Sequence, residues 1–484
     1  MQCRCRCAVL TLLIKENTPQ PDRNIRQPCL ITPPGMGLKS APMKHYQGDF
    51  NPNITLQDFD HHLLAEYGRD IMLANHIHDR SALLPVTLQF GMDVQTQIAC
   101  DEWMSTSPIY NHRNRQFLGI EGDDVSVALK GLQVDIGAPH NYLNFHYELV
   151  SPEEGFFWTS TCGPFNHVYR MSGGDESMQT QICHHMEDPT FDATVMAVNP
   201  QMRCRPIFRP PVAVIPETGP CKWRVAIQED IGLVESCPFL DQTSSTLAAN
   251  FTFQSLPPEG PGLSDYSGVF KRDFCLEDLS QGTLATLCKE FMLDVFLLNY
   301  ACYNAIAERQ GDEHIVAMAQ EQYHHLAPVT VHRLRNAFGI KGDDMSAVLK
   351  ILQLNPFTPH DYFDMGYVQI SAIEGFVWLR DCAGYREPIK RGIASLMVAN
   401  PDQPGFHRLA QEINPRAIVR PVEVSALEHI ADTHDIKLAW QILIDTDTAP
   451  ASRSEWADIT GQDMWDHDNS RHIYLYETYD KETN

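Results

Sequence analysis

Apolar residues recur at helical intervals in ITLQDFDHHLLAEYGRDIMLANHIHDR, where Leu56, Phe59 and Leu63 fall on one face. This spacing predicts a first helix with Thr55 as its N-cap. A second helix is predicted over about 85–117, ending in HRNRQFLGI, and the segment GDDVSVALKGLQ predicts the start of a third.

Beyond these helices the pattern changes to alternation. Apolar and polar residues alternate in YLNFHYELVS and EEGFFWTSTC, which predicts two strands joined by a hairpin around 152–155. A further helix over about 175–198 and two more strands, in MRCRPIFRP and KWRVAIQ, complete the unit. Helices followed by antiparallel strands indicate an α+β fold, a helical half packed on a small antiparallel sheet.

The whole pattern occurs twice in the chain. GIEGDDVSVALKGLQ at 119–133 returns as GIKGDDMSAVLKILQ at 339–353, and the same shift aligns 54–162 with 274–382 without a gap. After Cys162 the two halves stay aligned at a slightly smaller shift, which indicates a duplicated domain and not a short repeat.

The duplication and the composition along the chain divide it into four parts. A chain of 484 residues is too long for one ordinary core, in agreement with two homologous units. The parts are a tail predicted to be disordered (1–42), copy one (43–240), a Pro- and Gly-rich linker (241–270) and copy two (271–484).

Charge and cysteine usage narrow the classes of function. A net charge of −25 argues against nucleic acid and against an anionic membrane surface, because both need clustered Lys and Arg. No apolar run approaches the roughly 18 residues that a membrane helix needs. The 14 cysteines are scattered and form no Cys-x-x-Cys pair, which is typical of reduced thiols in the cytoplasm.

Both copies retain several polar residues whose roles have two interpretations. In Gly-Asp-Asp, an aspartate is expected to cap the third helix, although two adjacent carboxylates could also hold a hard cation. His112, Arg113 and Arg115 lie where a helix ends, so they either complement the helix dipole or clamp a substrate anion. His140, after Pro139, either shapes a turn or binds substrate.

The residues that look most chemical occur in copy one only. WTSTCGPFNHVY supplies Cys162 and His167, and QICHHMEDPTF supplies Cys183, His184 and Glu187. Thiolates and imidazoles are ligands for zinc or another divalent transition metal, and a cysteine beside a histidine also suits an activated nucleophile. Copy two has Val398 and Ala399 where copy one has Cys183 and His184, so copy two is interpreted as a degenerate half; ordinary drift is the alternative.

A second polar cluster lies on the first helix, which bears His62, Glu66, His76, His78 and Asp79. A di-metal carboxylate bundle needs matching Glu and Glu-x-x-His sets on four helices, and neither copy supplies them. There is also no G-x-G-x-x-G and no P-loop, so no nucleotide cofactor is expected.

The run HRLRNAFGIKGDDMSAVLKILQL, the strand ending in WLRDCAG and the segment INPRAIVRP resemble the L-2-amino-thiazoline-4-carboxylic acid hydrolase-like family of small single-domain proteins. The resemblance covers about 190 residues in each copy. It implies hydrolytic opening of a small sulfur–nitrogen heterocycle, and it carries over the strand-end cysteines Cys162 and Cys382. A second family cysteine would match Cys183, which copy two lacks.

These observations lead to one preferred hypothesis and one alternative. The preferred hypothesis is a hydrolase or lyase that acts on a C–N or C–S bond of a small organic acid or heterocycle. In it, Cys162, Cys183 and His184 hold a metal, together with His167, or serve as nucleophile and base, and Glu187 is the acid/base. The alternative is a non-catalytic small-molecule-binding or scaffold protein. Both are compatible with a homo-oligomer.

Overall fold

The computed structural model describes residues 42–166, 173–228, 237–254, 256–258, 260–389 and 405–452. The predicted tail, 1–42, lies outside these ranges except for Pro42. Within them, no helix is both long enough and apolar enough to cross a membrane.

Copy one contains two long helices followed by a mixed α/β segment. The long helices are α1 (His61–Phe90) and α2 (Met92–Phe117). The elements after them are α3 (Val125–Gln133), β1 (Leu143–Ser151), β2 (Glu154–Cys162), α4 (Glu176–Thr180), a π-helical turn (Gln181–Met186), α5 (Glu187–Met196), β3 (Met202–Phe208) and β4 (Cys221–Ile227).

Copy two repeats this order after a short connecting helix, α6 (Leu240–Ser244). Its elements are α7 (Gln281–Gln310), α8 (Ile315–Phe338), α9 (Met345–Gln353), β5 (Met365–Gln369), β6 (Glu374–Arg380), α10 (Ala383–Ile389), α11 (Phe406–Ile413), β7 (Ala417–Pro421) and β8 (Ile436–Ile444). The two sheets are antiparallel, with strand orders β1-β2-β4-β3 and β5-β6-β8-β7. The predicted α+β fold with two sheet-bearing halves is therefore confirmed.

The first two helices begin at different residues from those predicted. Asp60, not Thr55, caps α1, because its carboxylate accepts a hydrogen bond from the backbone N–H of Leu63 at 2.8 Å. The chain also stays helical past Pro85 and breaks at Gly91, whose φ of 89° is readily accessible only to glycine.

The Gly-Asp-Asp segments form the same cap in both copies. Oδ1 of Asp124 accepts a hydrogen bond from the N–H of Val127 at 3.1 Å, and Asp344 does the same for Ala347 at 3.0 Å. The capping interpretation is confirmed. Asp123 is exposed and makes no such contact through its side chain in the described structure.

The four long helices form one bundle that crosses the boundary between the copies. α1 packs on α7 and α8 of copy two, and α2 packs on α7. The buried side chains of both copies form a single continuous core, in which Leu64 and Ile71 share a cluster with Phe291 and Leu326. The duplicated units are therefore joined through their interior and not only through a linker.

Segments before the first helix of each copy strengthen this connection. The hydroxyl of Tyr46 donates to Oε1 of Gln353 in copy two at 2.9 Å, and the hydroxyl of Tyr266 donates to Oε1 of Gln133 in copy one at 2.9 Å. The two contacts occupy equivalent positions of the repeat, so each copy extends an arm (42–58 and 262–278) onto the other.

Candidate functional site

A cavity of about 270 Å³ lies inside copy one, between α1 and α2 on one side and the sheet with the π-helical turn on the other. Its wall is mainly apolar and includes Leu83, Trp103, Leu143, Phe145 and Phe191. A few polar groups interrupt this wall. Concave, mostly apolar cavities with few polar groups are typical small-molecule sites.

The π-helical turn brings the copy-one-specific segment QICHHMED to this cavity. Such turns insert one residue into an α-helix and occur often at functional sites. Ile182, Met186 and Glu187 line the cavity, while Cys183 is buried behind it. The asymmetry between the copies, visible in the sequence, therefore coincides with an irregular helix beside a cavity.

Several predicted site residues meet here. Cys162, at the end of β2, and Glu187, at the start of α5, both line the cavity. Burial raises the pKa of Cys183, and Glu187, Cys162 and Cys221 lie close enough to add to this shift. Cys221 was missed by sequence reasoning, although Ile436 stands at its position in copy two, which is the same signal that drew attention to Cys183.

The protonation states of these groups follow from their burial. Burial raises the pKa of Cys162 to about 12 and raises the pKa of Cys183 well above its ordinary value, so both thiols stay protonated at neutral pH. Burial also raises the pKa of Glu187 to about 8, with Arg209 partly opposing the shift. Oε2 of Glu187 is sealed from solvent and has no hydrogen-bond partner among the described residues.

Of the predicted metal ligands, only Cys162 and Cys183 come together in the part of the chain that the structure describes. Nε2 of His184 donates to the carbonyl oxygen of Pro210 at 2.8 Å, and His167 lies outside the described residues. No group of three or more His, Cys, Asp or Glu side chains in those residues could hold a metal ion. The described donors therefore do not fit a zinc site, and that expectation stays a prediction.

The arginines predicted to clamp an anion lie away from the cavity. Arg113 pairs with Glu290 of copy two at 2.6 Å and also donates to the carbonyl oxygen of Phe251 at 2.6 Å. Arg115 is buried and donates to Oδ1 of Asn111 at 2.8 Å, while His112 is exposed. Arg113 therefore joins α2 to α7 of copy two, whereas the contact between Arg115 and Asn111 lies within α2.

His140 lies in a turn, in agreement with the interpretation that it shapes a turn after Pro139. Its Nε2 donates to the carbonyl oxygen of Gln133 at 2.8 Å, and His360 makes the equivalent contact with Gln353 at 2.7 Å. His140 also lines a separate, smaller pocket of about 140 Å³ together with Arg69 and other polar residues.

α1 contributes polar groups to the main cavity that were not assigned to the site from the sequence. His76, Asp79 and Arg80 all line it. The guanidinium of Arg80 lies 5.1 Å from the ring centroid of Tyr142, a cation–π contact. Burial, together with Arg80, lowers the pKa of His76 to about 3, so this imidazole is neutral. The sequence showed a His- and Asp-rich stretch on the first helix, but only the structure shows that these side chains line a cavity.

Larger side chains stand at the equivalent positions of copy two. Phe296 replaces His76 and Tyr300 replaces Arg80, while Tyr303 replaces Leu83. All three are buried in the common core or at its margin, and Phe296 packs on the ring of Phe363 at 5.5 Å. Aromatic side chains thus stand in copy two at three positions that line the cavity in copy one.

Comparison with known proteins adds no relative to this description. No family model, no curated protein and no solved structure matches the chain. The resemblance to the L-2-amino-thiazoline-4-carboxylic acid hydrolase-like family therefore rests on its motifs alone.

Proposed function

We propose that copy one is an enzyme that hydrolyses, or cleaves by elimination, a C–N or C–S bond of a small organic acid or heterocycle bound in the main cavity. One observation carries the proposal: the carboxyl group of Glu187 lines this cavity, keeps one oxygen without a partner among the described residues, and holds its proton up to a pH of about 8. A buried acid that is still protonated at neutral pH suits protonation of a leaving group.

In the hydrolytic form of the reaction, water adds to the substrate carbon and the C–N or C–S bond breaks. Glu187 gives its proton to the departing nitrogen or sulfur, and the resulting carboxylate is stabilised by the nearby charge of Arg209. The proton lost by the water restores Glu187 through solvent. No step passes through a metal, because the described donors do not assemble a site for one.

The thiols have a smaller role in this proposal than the sequence suggested. A pKa of about 12 leaves very little thiolate at Cys162 near neutral pH, and the thiolate is the nucleophilic form. We assign Cys162 to the wall of the cavity, where its modest size leaves room for a ligand, and Cys183 to the packing behind that wall.

The second candidate is a non-catalytic small-molecule-binding protein. The protonated thiols and the mainly apolar wall favour it, since both suit binding without any bond cleavage. It predicts that bound ligands are recovered chemically unchanged.

The test begins with thermal-shift screening of small heterocyclic and aromatic acids, including L-2-amino-thiazoline-4-carboxylic acid. Compounds that bind are then incubated with the protein and followed by mass spectrometry. We expect Glu187→Gln to lower turnover by roughly 10²–10⁴-fold while binding persists, because the amide cannot donate an acidic proton.

Two matched variants sharpen this experiment. Glu176→Gln removes an exposed carboxylate from α4 and should leave turnover unchanged. Cys162→Ser should retain most of the activity. Full turnover by Glu187→Gln would refute the proposed role, and unchanged ligands in every incubation would favour the binding protein.

A further inference from the structure

Two acidic side chains on neighbouring helices meet at the α1 side of the cavity. Asp79 of α1 lines the cavity, and Glu102 of α2 lies behind it with none of its surface exposed. The two carboxyl groups lie close enough for each to shift the pKa of the other. Neither belongs to the site described above from Cys162 and Glu187.

A hydrogen bond between two carboxyl groups requires a proton, because two carboxylates can only accept. Both oxygens of Glu102 and one oxygen of Asp79 are buried without a hydrogen-bond partner among the described residues, so a shared proton would supply a bond that they lack. Burial and the adjacent Asp79 charge raise the pKa of Glu102 well above its usual range. Burial raises the pKa of Asp79 to about 6, against the opposing effect of Arg80. The pair therefore holds one proton at neutral pH.

The other groups around the pair belong to three helices. Arg80 follows Asp79 on α1, and the indole of Trp103 on α2 is hydrogen-bonded to Asp79. From α7 of copy two, Cys302 faces Glu102, and Tyr303 is near enough to sense its charge. The Arg80 guanidinium supplies the nearby positive charge that balances one carboxylate of the pair.

Copy two has amides at the positions equivalent to Asp79 and Glu102, and amides do not titrate. Asn299 replaces Asp79 and Gln322 replaces Glu102, and Nε2 of Gln322 donates to Oδ1 of Asn299 at 3.4 Å. An amide pair makes the contact between the helices permanently and without charge. The helix packing therefore does not need carboxyl groups, so the exchangeable proton is what copy one adds at this position.

We propose that Asp79 and Glu102 form a proton-sharing dyad that serves as a second acid–base group of the cavity. Asp79 is the member that faces the substrate, and Glu102 is a positioning residue that holds the shared proton. This inference rests on the proposed function, because it concerns the same cavity and the same substrate.

The dyad completes the proton balance of the hydrolysis. The ionised dyad takes a proton from the attacking water at an oxygen of Asp79, while Glu187 gives a proton to the leaving nitrogen or sulfur. One proton is taken up, one is released and no electrons are transferred. Solvent then returns both groups to their starting states.

The dyad can be tested without any ligand, by infrared spectroscopy of the full-length protein at pH 7. Protonated carboxyl groups absorb apart from carboxylates, so the wild-type spectrum minus that of Glu102→Gln should show a protonated carboxyl band. Asp79→Asn should shift the frequency of that band, because its hydrogen-bond partner changes. Glu187→Gln should remove a different band, and the exposed Glu176→Gln should remove none.

The double variant Asp79→Asn/Glu102→Gln is a control for folding, because it introduces the amide pair that copy two already contains. We expect it to fold and to lack the dyad band. The dyad is overturned if Glu102→Gln removes no protonated carboxyl band, or if Asp79→Asn leaves the band at its original frequency.

Turnover gives a second measurement that a purely structural role would not change. Glu102→Gln should move the acidic limb of the pH–kcat profile to higher pH, because protonated Glu102 lowers the pKa of Asp79 and an amide N–H stabilises the Asp79 carboxylate less well than a carboxyl O–H does. Asp79→Asn should lower kcat by roughly 10²-fold. If both variants keep the wild-type profile while Glu187→Gln is inactive, the dyad fails and the proposed function stands. If Glu187→Gln is fully active, the proposed function fails whatever the infrared result.

Discussion

At the scale of single residues, the cavity of copy one is distinguished by acids that keep their protons. Glu187 is held protonated by burial, although Arg209 lies near enough to oppose the effect. Burial of a carboxyl without a full set of hydrogen bonds costs stability once the group ionises. This cost is expected if Glu187 has to keep its proton in order to act as an acid.

This cost gives a prediction for the stability of the protein. The folded state binds the Glu187 proton up to a pH of about 8, whereas an unfolded glutamate loses it near pH 4. The folded state therefore binds more protons in this window, so the free energy of unfolding falls as the pH rises through it. We expect Glu187→Gln to lose less stability than wild type between pH 5 and pH 8, by at least about 1 kcal/mol.

Urea denaturation of both proteins at pH 5 and at pH 8 measures this difference. Other buried acids titrate in the same window, so only the difference between the two proteins is informative. Glu176→Gln should follow the wild type. A pH dependence in Glu187→Gln that equals the wild-type dependence would mean that Glu187 is ionised throughout.

Which residue roles could be predicted depended on how far apart the partners are in the chain. The cap by Asp124 uses an N–H only three residues away, so the local sequence was enough to predict it. The partner of Arg113 is Glu290, which is 177 residues away, and no local pattern points to it. The sequence therefore left open whether Arg113 clamps an anion or serves packing.

At the scale of elements, alternation predicted the strands well because one face of each sheet is buried. In the β1–β2 hairpin, Tyr147 lies opposite Phe157 and both are buried, as the alternating pattern requires. The π-helical turn was not predicted, because its extra residue leaves no periodic signal. The position of Glu187 on the cavity wall consequently needed the structure.

The third helix offers an element-scale prediction with an internal control. We expect Asp124→Ala to lower the free energy of unfolding by about 1 kcal/mol, because the N–H of Val127 loses its acceptor. Asp123→Ala removes the neighbouring exposed carboxylate, which does not cap, and should cost less than half as much. Chemical denaturation measures both, and equal losses would contradict the capping assignment.

At the scale of the whole molecule, the sequence revealed the duplication but not how the copies fit together. Aligned residues show which positions are equivalent, yet they do not show whether a helix packs on its own copy or on the other. The structure shows that α2 packs on α7 and that the arms cross over through Tyr46 and Tyr266. Copy two thereby contributes to the surroundings of the site in copy one, since its α7 places Cys302 next to Glu102.

The shared interior should make both copies unfold together, and a buried ion pair between them allows this to be tested. Asp70 of α1 pairs with Arg333 of α8, and both side chains are largely buried. We expect Asp70→Asn to cost about 3 kcal/mol, because the guanidinium of Arg333 then loses the charge of Asp70 in a buried setting. Asp381→Asn, which removes the partner of the more exposed Arg386, should cost less than about 1 kcal/mol.

Hydrogen exchange followed by mass spectrometry then separates the two copies. A continuous core predicts that Asp70→Asn accelerates amide exchange by similar factors in the sheets of both copies, β1–β4 and β5–β8, because global unfolding exposes both. Calorimetry should show one transition at a lowered midpoint. Acceleration confined to one copy, or two resolved transitions, would mean that the copies unfold separately despite the bundle that joins them.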